Sequence, residues 1–254
     1  MILAPMPDAI DFLLRAQNSD GGWGYGVGAR GVSYVEPTAA VLIALRDANA
    51  LARDRARDFL LRLQLPDGGW GIGAVDSESG WMTAWAVRAL SVFSENNLAM
   101  QRGALWLLKT SGITLSDSTA RARIRELFRM DSTLRGWPWQ VGDASWVHPT
   151  ALALLALDAA KLREHPRYRE GVAYLLDRAT DAGGWNIGNP QMIDKKIPAT
   201  IQDSAIALLA LRAAGVTQDD SRVHRGLDYL RGVLASAQTT AELAFGIWAL
   251  KDWR

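Results

Sequence analysis

The stretch LQLPDGGWGIG, Leu63 to Gly73, decides the fold, because copies of it recur along the chain. AQNSDGGWGYG runs from Ala16 to Gly26, a degraded RGWPWQVG from Arg135 to Gly142, and ATDAGGWNIG from Ala179 to Gly188. Their tryptophans Trp23, Trp70, Trp137 and Trp185 are spaced by 47, 67 and 48 residues, so the pattern is an internal repeat whose middle interval carries about twenty extra residues.

Each copy separates two kinds of helical segment. Asp8 to Ala16, Arg53 to Leu63, Asn97 to Lys109, Pro166 to Ala179 and Asp219 to Leu234 are amphipathic; Phe59, Leu60 and Leu63, for example, form a stripe opposite Arg53, Asp54, Arg57 and Arg62. The segments opening at Thr38, Thr83, Thr150, Ser204 and Thr240 (TAAVLIAL, TAWAVRAL, TALALLAL, SAIALLAL, TAELAFGIWAL) are apolar nearly all round and must be buried on nearly all sides. Alternating outer and inner helices joined by short turns describe an all-α protein, an α/α toroid of about five helical hairpins, expected as one domain over residues 1–254. Gly21-Gly22 and Gly68-Gly69 stand where outer helices end and left-handed backbone is needed. Pro37 and Pro149 suit first helical positions, which would make Glu36 and His148 the caps of two inner helices.

The extra residues contain SDSTARARIRELFRM, Ser116 to Met130, with Ile124, Leu127 and Phe128 on one side and Arg121, Arg125 and Arg129 at four-residue steps on another. The spacing predicts an inserted helix over about 116–131 with a basic stripe. That stripe is either a solvated face over a packed one or a lid carrying an anion clamp.

Composition narrows the function classes. With 27 acidic against 28 basic residues there is no global field for nucleic acid. The absence of cysteine removes disulfides, thiolate zinc sites and thiol nucleophiles, and the three histidines lack metal-ligand spacing. No apolar run approaches the roughly 20 residues that span a bilayer, and residues 1–17 do not read as a signal peptide, so a soluble cytoplasmic protein is expected. An open toroid with an exposed apolar rim would still draw a partner or the surface of a membrane.

Gln17 with Asp20-Gly21-Gly22-Trp23-Gly24 and Gln64 with Asp67-Gly68-Gly69-Trp70-Gly71 resemble the glutamine-tryptophan repeat of squalene-hopene and oxidosqualene cyclases and their class II terpene cyclase relatives. GVSYVEPTAAVLIAL from Gly31, SGWMTAWAVRALSV from Ser79 and SWVHPTALALLAL from Ser145 extend the resemblance over almost the whole chain. It implies a single toroid domain, where the triterpene cyclases enclose their cavity between two, and it implies a structural role for the Gln and Trp of each turn. It further implies an isoprenoid ligand and no cofactor, with Mg²⁺ entering only alongside a diphosphate substrate. Protein prenyltransferases and lanthionine cyclases, of related shape, need the cysteine this chain lacks. The class II acid motif, Asp-x-Asp-Asp before Thr-Ala, is similar in context to Thr200-Ile201-Gln202-Asp203-Ser204-Ala205. Asp203 is kept, but Gln202 stands at the acid position and an amide cannot protonate an alkene.

The same offset, two residues before the Thr or Ser of each inner helix, selects Glu36, Trp81, His148 and Gln202, with Gln238 in the fifth unit. Repeat logic puts these at one mouth of the toroid, with Tyr34, Trp139 and Trp146 as nearby aromatic walls. Glu36, the one carboxyl among them, is the candidate acid, set against a plain capping role, and His148 is a wall residue or the acceptor of a terminating proton. Three readings stay open. In the first, a cyclase binds a polyprenyl chain against Trp81, Trp139 and Trp146, with Gln202 and Asp203 beside it, protonates it from Glu36, and holds any diphosphate on Arg121, Arg125 and Arg129. The second is a non-catalytic toroid that binds an isoprenoid or a protein in the same mouth. The third is a carbohydrate-active barrel needing a second carboxyl, Asp143 or Asp203.

Overall fold

The computed structural model describes residues 7–26, 31–93, 97–193 and 195–253, and the chain divides into two compact units, one up to Leu107 and one from Leu108.

In the first unit α1 (Pro7–Arg15) and α3 (Ala50–Arg62) alternate with α2 (Val35–Ala44) and α4 (Met82–Leu90), and α5 (Leu98–Lys109) runs to the boundary. Helix α3 buries only Ala52, Ala56, Phe59 and Leu60, whereas every described residue of α4 except Arg88 is buried. The inner helices α2 and α4 pack side by side. In the second unit an inserted α6 (Ser118–Phe128) precedes α7 (Val147–Ala159), α9 (Ile201–Ala213) and α11 (Thr240–Asp252), with outer helices α8 (Pro166–Asp177) and α10 (Ser221–Val233) between them. Helices α7 and α9 are buried nearly all round, but α2 buries only Val35, Thr38, Ala39 and Leu42, and α11 only Gly246 and Ala249, with Leu243 and Ile247 exposed; this corrects the expectation of nearly complete burial for these two helices. Helix α9 packs against both α7 and α11. A hairpin of two-residue strands, β1 (Gln191–Met192) and β2 (Lys195–Lys196), precedes α9, and no sequence signal foretold it.

The repeated turns build one hydrogen-bonded clamp. The backbone N–H of each turn tryptophan donates to the hydroxyl that opens an inner helix: Trp23 to Thr38 (2.9 Å), Trp70 to Thr83 (2.9 Å), Trp137 to Thr150 (2.8 Å) and Trp185 to Ser204 (2.9 Å). The indole N–H of Trp23, Trp70 and Trp185 donates back to the carbonyl of Leu13, Leu60 and Leu175 on the preceding outer helix. The Gln64 amide ties the carbonyls of Gly68 and Ala99, and Gln17 does the same to Gly21 and Ala52, as the resemblance implies. Gly68 has φ +97°, and a Cβ there would meet the Arg102 carbonyl at 2.9 Å, so the turn needs glycine on two grounds. Gly103, Gly171 and Gly226, on the following outer helices, seat the rings: a Cβ would lie 2.5–2.6 Å from Trp137, Trp185 or Trp70.

Thr150→Val is expected to cost about 1–3 kcal/mol, since it leaves the Trp137 N–H buried without an acceptor. A urea midpoint within about 0.5 kcal/mol of the parent protein would show the clamp to be incidental.

Candidate functional site

The turn clamp sets the register at which each inner helix begins. The carbonyl of the turn tryptophan accepts the N–H of Tyr34, Trp146 and Thr200 from Trp23, Trp137 and Trp185 respectively, at 2.8–3.0 Å. Tyr34, Trp146 and Thr200 are therefore the residues that cap α2, α7 and α9. This corrects the expectation for Glu36 and His148: both sit one turn edge inside, at the second helical position, with Pro37 and Pro149 at the third. Proline is tolerated there because the first four helical N–H groups have no partner within the helix. Gln202 holds the equivalent place in α9, Trp81 caps α4, and Gln238 lies before the Thr239 cap of α11, outside the pattern.

In the first unit Glu36 is half-buried and accepts a hydrogen bond from the Tyr25 hydroxyl at 2.7 Å, while the Tyr25 and Tyr34 rings lie 5.1 Å apart. Burial holds the Glu36 carboxyl above the usual range, opposed by the Tyr25 hydrogen bond. Repeat spacing does not select Tyr25, although it stands inside the first repeat copy. The second unit holds the denser cluster. His148 and Asp203 are 7% and 8% exposed, with Nδ1 and Oδ1 3.8 Å apart. Trp139 stacks on the imidazole at 5.4 Å and 20°. The Thr200 hydroxyl contacts the other Asp203 oxygen at 2.8 Å and accepts the Asp203 N–H at 3.1 Å. Burial pushes the Asp203 carboxyl up, with the Thr200 contact opposing, and pushes His148 down to about 4, so the imidazole is neutral at pH 7. A buried carboxyl whose proton affinity is raised, beside a neutral base and a stacked indole, is suited to deliver a proton away from water.

The basic stripe is interleaved with acids. Arg125 pairs with Asp131 at 2.9 Å and Arg123 with Glu126 at 2.8 Å, while Arg129 ends α6 in the left-handed region at φ +53°. Arg125 and Arg129 line a surface hollow together with Glu126, Asp131 and Asp177, and each of these carboxylates is paired, with Arg123, Arg125 and Arg178 respectively. Arg121 is half-buried on the same helix. Among the described residues no three His, Asp or Glu side chains gather as a metal centre requires, and no helix is long and apolar enough to cross a membrane.

The low His148 value fixes a pH dependence. The folded pKa lies below the ordinary 6.5, so the unfolded chain protonates first as pH falls; the stability present above about 6.5 is lost toward pH 4, on the order of 3 kcal/mol. The raised Asp203 and Glu36 carboxyls bind protons more readily when folded and offset part of this. His148→Gln is expected to flatten the loss between pH 7 and 4.5 in urea titrations; an unchanged slope would remove His148 as its source.

Residues 3–121 match the family model of the squalene-hopene cyclase C-terminal domain. A squalene–hopene cyclase from Alicyclobacillus acidocaldarius is 32% identical over 133 residues, covering 49% of this chain and 19% of that enzyme; the chain thus spans about a fifth of the length of the curated relative. Among solved structures, the apo type II terpene cyclase MstE from Scytonema superposes with a TM-score of 0.57 at 17% identity, over 96% of this chain and 76% of that one. A variant of MstE in complex with geranylgeranyl dihydroxybenzoate as substrate gives 0.58 at 18% identity, over 96% and 75%. A protein from Actinoplanes gives 0.62 at 17%, over 96% and 73%. At these identities the likeness shows the fold, the all-α, α/α toroid class that the repeats predict.

Proposed function

We propose, from the squalene cyclase-like toroid domain that this chain carries, that it binds an isoprenoid chain at the N-terminal ends of its inner helices and cyclises it by protonation. The observation that carries the reading is the cluster of buried Asp203 and His148 with half-buried Trp139 stacked on the imidazole. The proton donor of this proposal is Asp203, because its carboxyl is the more deeply buried of the two raised carboxyls and faces a neutral imidazole. Its O–H bond breaks as the alkene π pair forms a new C–H bond, leaving a carboxylate and a tertiary cation. A second alkene attacks the cation and closes the ring. Loss of a proton from the cyclised cation, to His148 or the Asp203 carboxylate, restores neutrality, so product and substrate have equal mass. The Trp139 face is suited to stabilise the cation by roughly 0.5–2 kcal/mol. Arg123 and Arg125 on α6 are already paired with Glu126 and Asp131, which supports a neutral headgroup, and a geranylgeranyl chain on an aromatic ring, the type of substrate named for the MstE complex, heads the list of compounds to try.

The test is incubation with neutral prenyl-arenes, squalene and prenyl diphosphates, followed by product analysis by chromatography and mass spectrometry. A cyclic isomer of a neutral prenyl compound is the expected result. A second reading, retention of the isoprenoid without turnover, is favoured by Gln202 at the motif's acid position. Native mass spectrometry showing bound, unreacted prenyl compound would select it; neither product nor complex would end both readings.

A further inference from the structure

In the second unit a surface hollow of about 470 Å³ opens between the C-terminal end of α5 and the start of α8, walled by Lys109, Ser111, Arg135, His165, Arg167 and Glu170. None of Asp203, His148 and Trp139 lines it. Glu170 holds Arg135 at 2.6 Å through one carboxylate oxygen and Arg167 at 3.4 Å through the other, so two guanidinium groups share one counter-charge. Lys109 is exposed and pairs with no carboxylate among the described residues. Three cations against one carboxylate leave two positive charges uncompensated, on a chain whose net charge is only +1.

Buried Arg167 fixes this wall in place. Its guanidinium donates to the carbonyls of Thr110 at 3.2 Å, Arg135 at 2.8 Å and Gly136 at 2.6 Å, and lies 3.6 Å over the Trp137 ring. The loop after α5 and the turn that carries Arg135 are thereby tied to α8. Burial pushes Arg167 down to about 10, and the neighbouring Arg135 charge adds to this against the opposing Glu170. His165, the cap of α8, accepts the Arg167 N–H on Nδ1 at 3.1 Å, so the imidazole proton sits on Nε2 and that nitrogen remains a donor. The terminal nitrogens of exposed Arg135 and the Ser111 hydroxyl are likewise uncommitted among the described residues.

The ligand's chemistry follows from charge and donor geometry. A monocarboxylate would neutralise one of the two excess charges, whereas a phosphate dianion neutralises both. Its tetrahedral oxygens meet donors that arrive from several directions, and the planar fork of Arg135 suits a two-point contact with two of them. The start of α8 adds the positive end of a helix dipole on the same side. We infer that this hollow is a binding site for the phosphate group of a phosphorylated ligand, with Lys109 and Arg135 as its anchoring cations. A soluble phosphomonoester and a phospholipid headgroup both present that group. The site does not depend on the cyclisation chemistry proposed for Asp203.

The test is titration calorimetry of the full chain with inorganic phosphate and with acetate. Saturable phosphate binding is expected, with acetate about tenfold weaker. Lys109→Gln and Arg135→Gln should each weaken phosphate about fivefold, the upper end for a charge contact open to solvent. Lys109 has no ion pair to lose, so its variant folds as the parent does. Glu170→Gln, which removes the competing carboxylate, should tighten phosphate several-fold, with the thermal midpoint as its control. Arg231→Gln, an equal change of charge on α10, should leave binding unaltered. The inference is overturned if folded parent shows no saturable phosphate binding, if acetate binds as tightly, or if Lys109→Gln weakens binding no more than Arg231→Gln does. Sedimentation with phosphatidylcholine vesicles, with and without phosphatidic acid, separates the two sources. Capture that needs phosphatidic acid and fails in Lys109→Gln assigns the phosphate to a lipid; saturable free phosphate without such capture assigns it to a soluble phosphomonoester.

Discussion

Trp70→Ala is expected to cost about 3–5 kcal/mol, the range for removing a fully buried aromatic ring and a large fraction of the stability of a domain of ordinary size. The indole is 0% exposed, its N–H donates to the Leu60 carbonyl at 2.8 Å, and it fills the space that Gly103 leaves open on α5. Alanine would empty that seat and leave the Leu60 carbonyl with the Leu63 N–H as its remaining donor, so the cavity is the larger part of the cost and the lost hydrogen bond adds to it. Gly103→Ala attacks the same contact from the other side: a Cβ 2.6 Å from the ring must displace it, at about 1–3 kcal/mol. Urea unfolding followed by circular dichroism reads both. A loss below about 1 kcal/mol for Trp70→Ala would mean that the repeat tryptophan does not hold outer and inner helices together. Because the two residues touch, the double variant should cost less than the two single costs added together.

Asp203→Asn is expected to reduce formation of a cyclic product by about 10³-fold, within the 10²–10⁴ that a positioned general acid contributes. Asparagine matches the carboxyl in shape and is uncharged, as the raised Asp203 carboxyl is when protonated, so the fold should tolerate it and the thermal midpoint serves as the control. Glu36→Gln separates the two carboxyls. With Asp203 as donor, Glu36→Gln keeps activity within a few fold; if Glu36→Gln instead silences the protein while Asp203→Asn stays within tenfold, the donor lies in the first unit beside Tyr25. His148→Gln should fall between them, since it leaves the acid in place and removes a proton acceptor 3.8 Å away.

The turn copies were legible because their chemistry is local. A glycine pair, an indole and an opening Thr or Ser are each required within one hairpin, and even the degraded Gly136-Trp137 copy makes the same 2.8 Å bond to Thr150. The burial of α4, α7 and α9 was legible for a related reason, since a helix buried all round differs from one buried on a stripe in composition, but α2 and α11 are as apolar and only part-buried, because burial also needs a neighbour on each side. The candidate site was legible only to the level of the helix end. Glu36, His148 and Gln202 do share a helical position, but it is the second and not the cap, because the carbonyl of the turn tryptophan holds the preceding residue as the cap. Repeat logic groups His148, Gln202 and Trp139 at one mouth, but not the approach of Asp203 to His148 or the stacking of Trp139 on the imidazole, which arise where α7 and α9 pack side by side.

Sequence by itself therefore determined the all-α class, the repeat, the place of the inserted helix and the residues that fasten each turn, all properties written in period and local hydrogen bonding. Tertiary structure alone decided which carboxyl is buried beside an imidazole and that the arginine stripe is answered by Asp131 and neighbouring acids. The physical reason is that burial, and the shift in proton affinity it brings, depends on what other segments of the chain exclude water from a side chain, and no run of neighbouring residues carries that information.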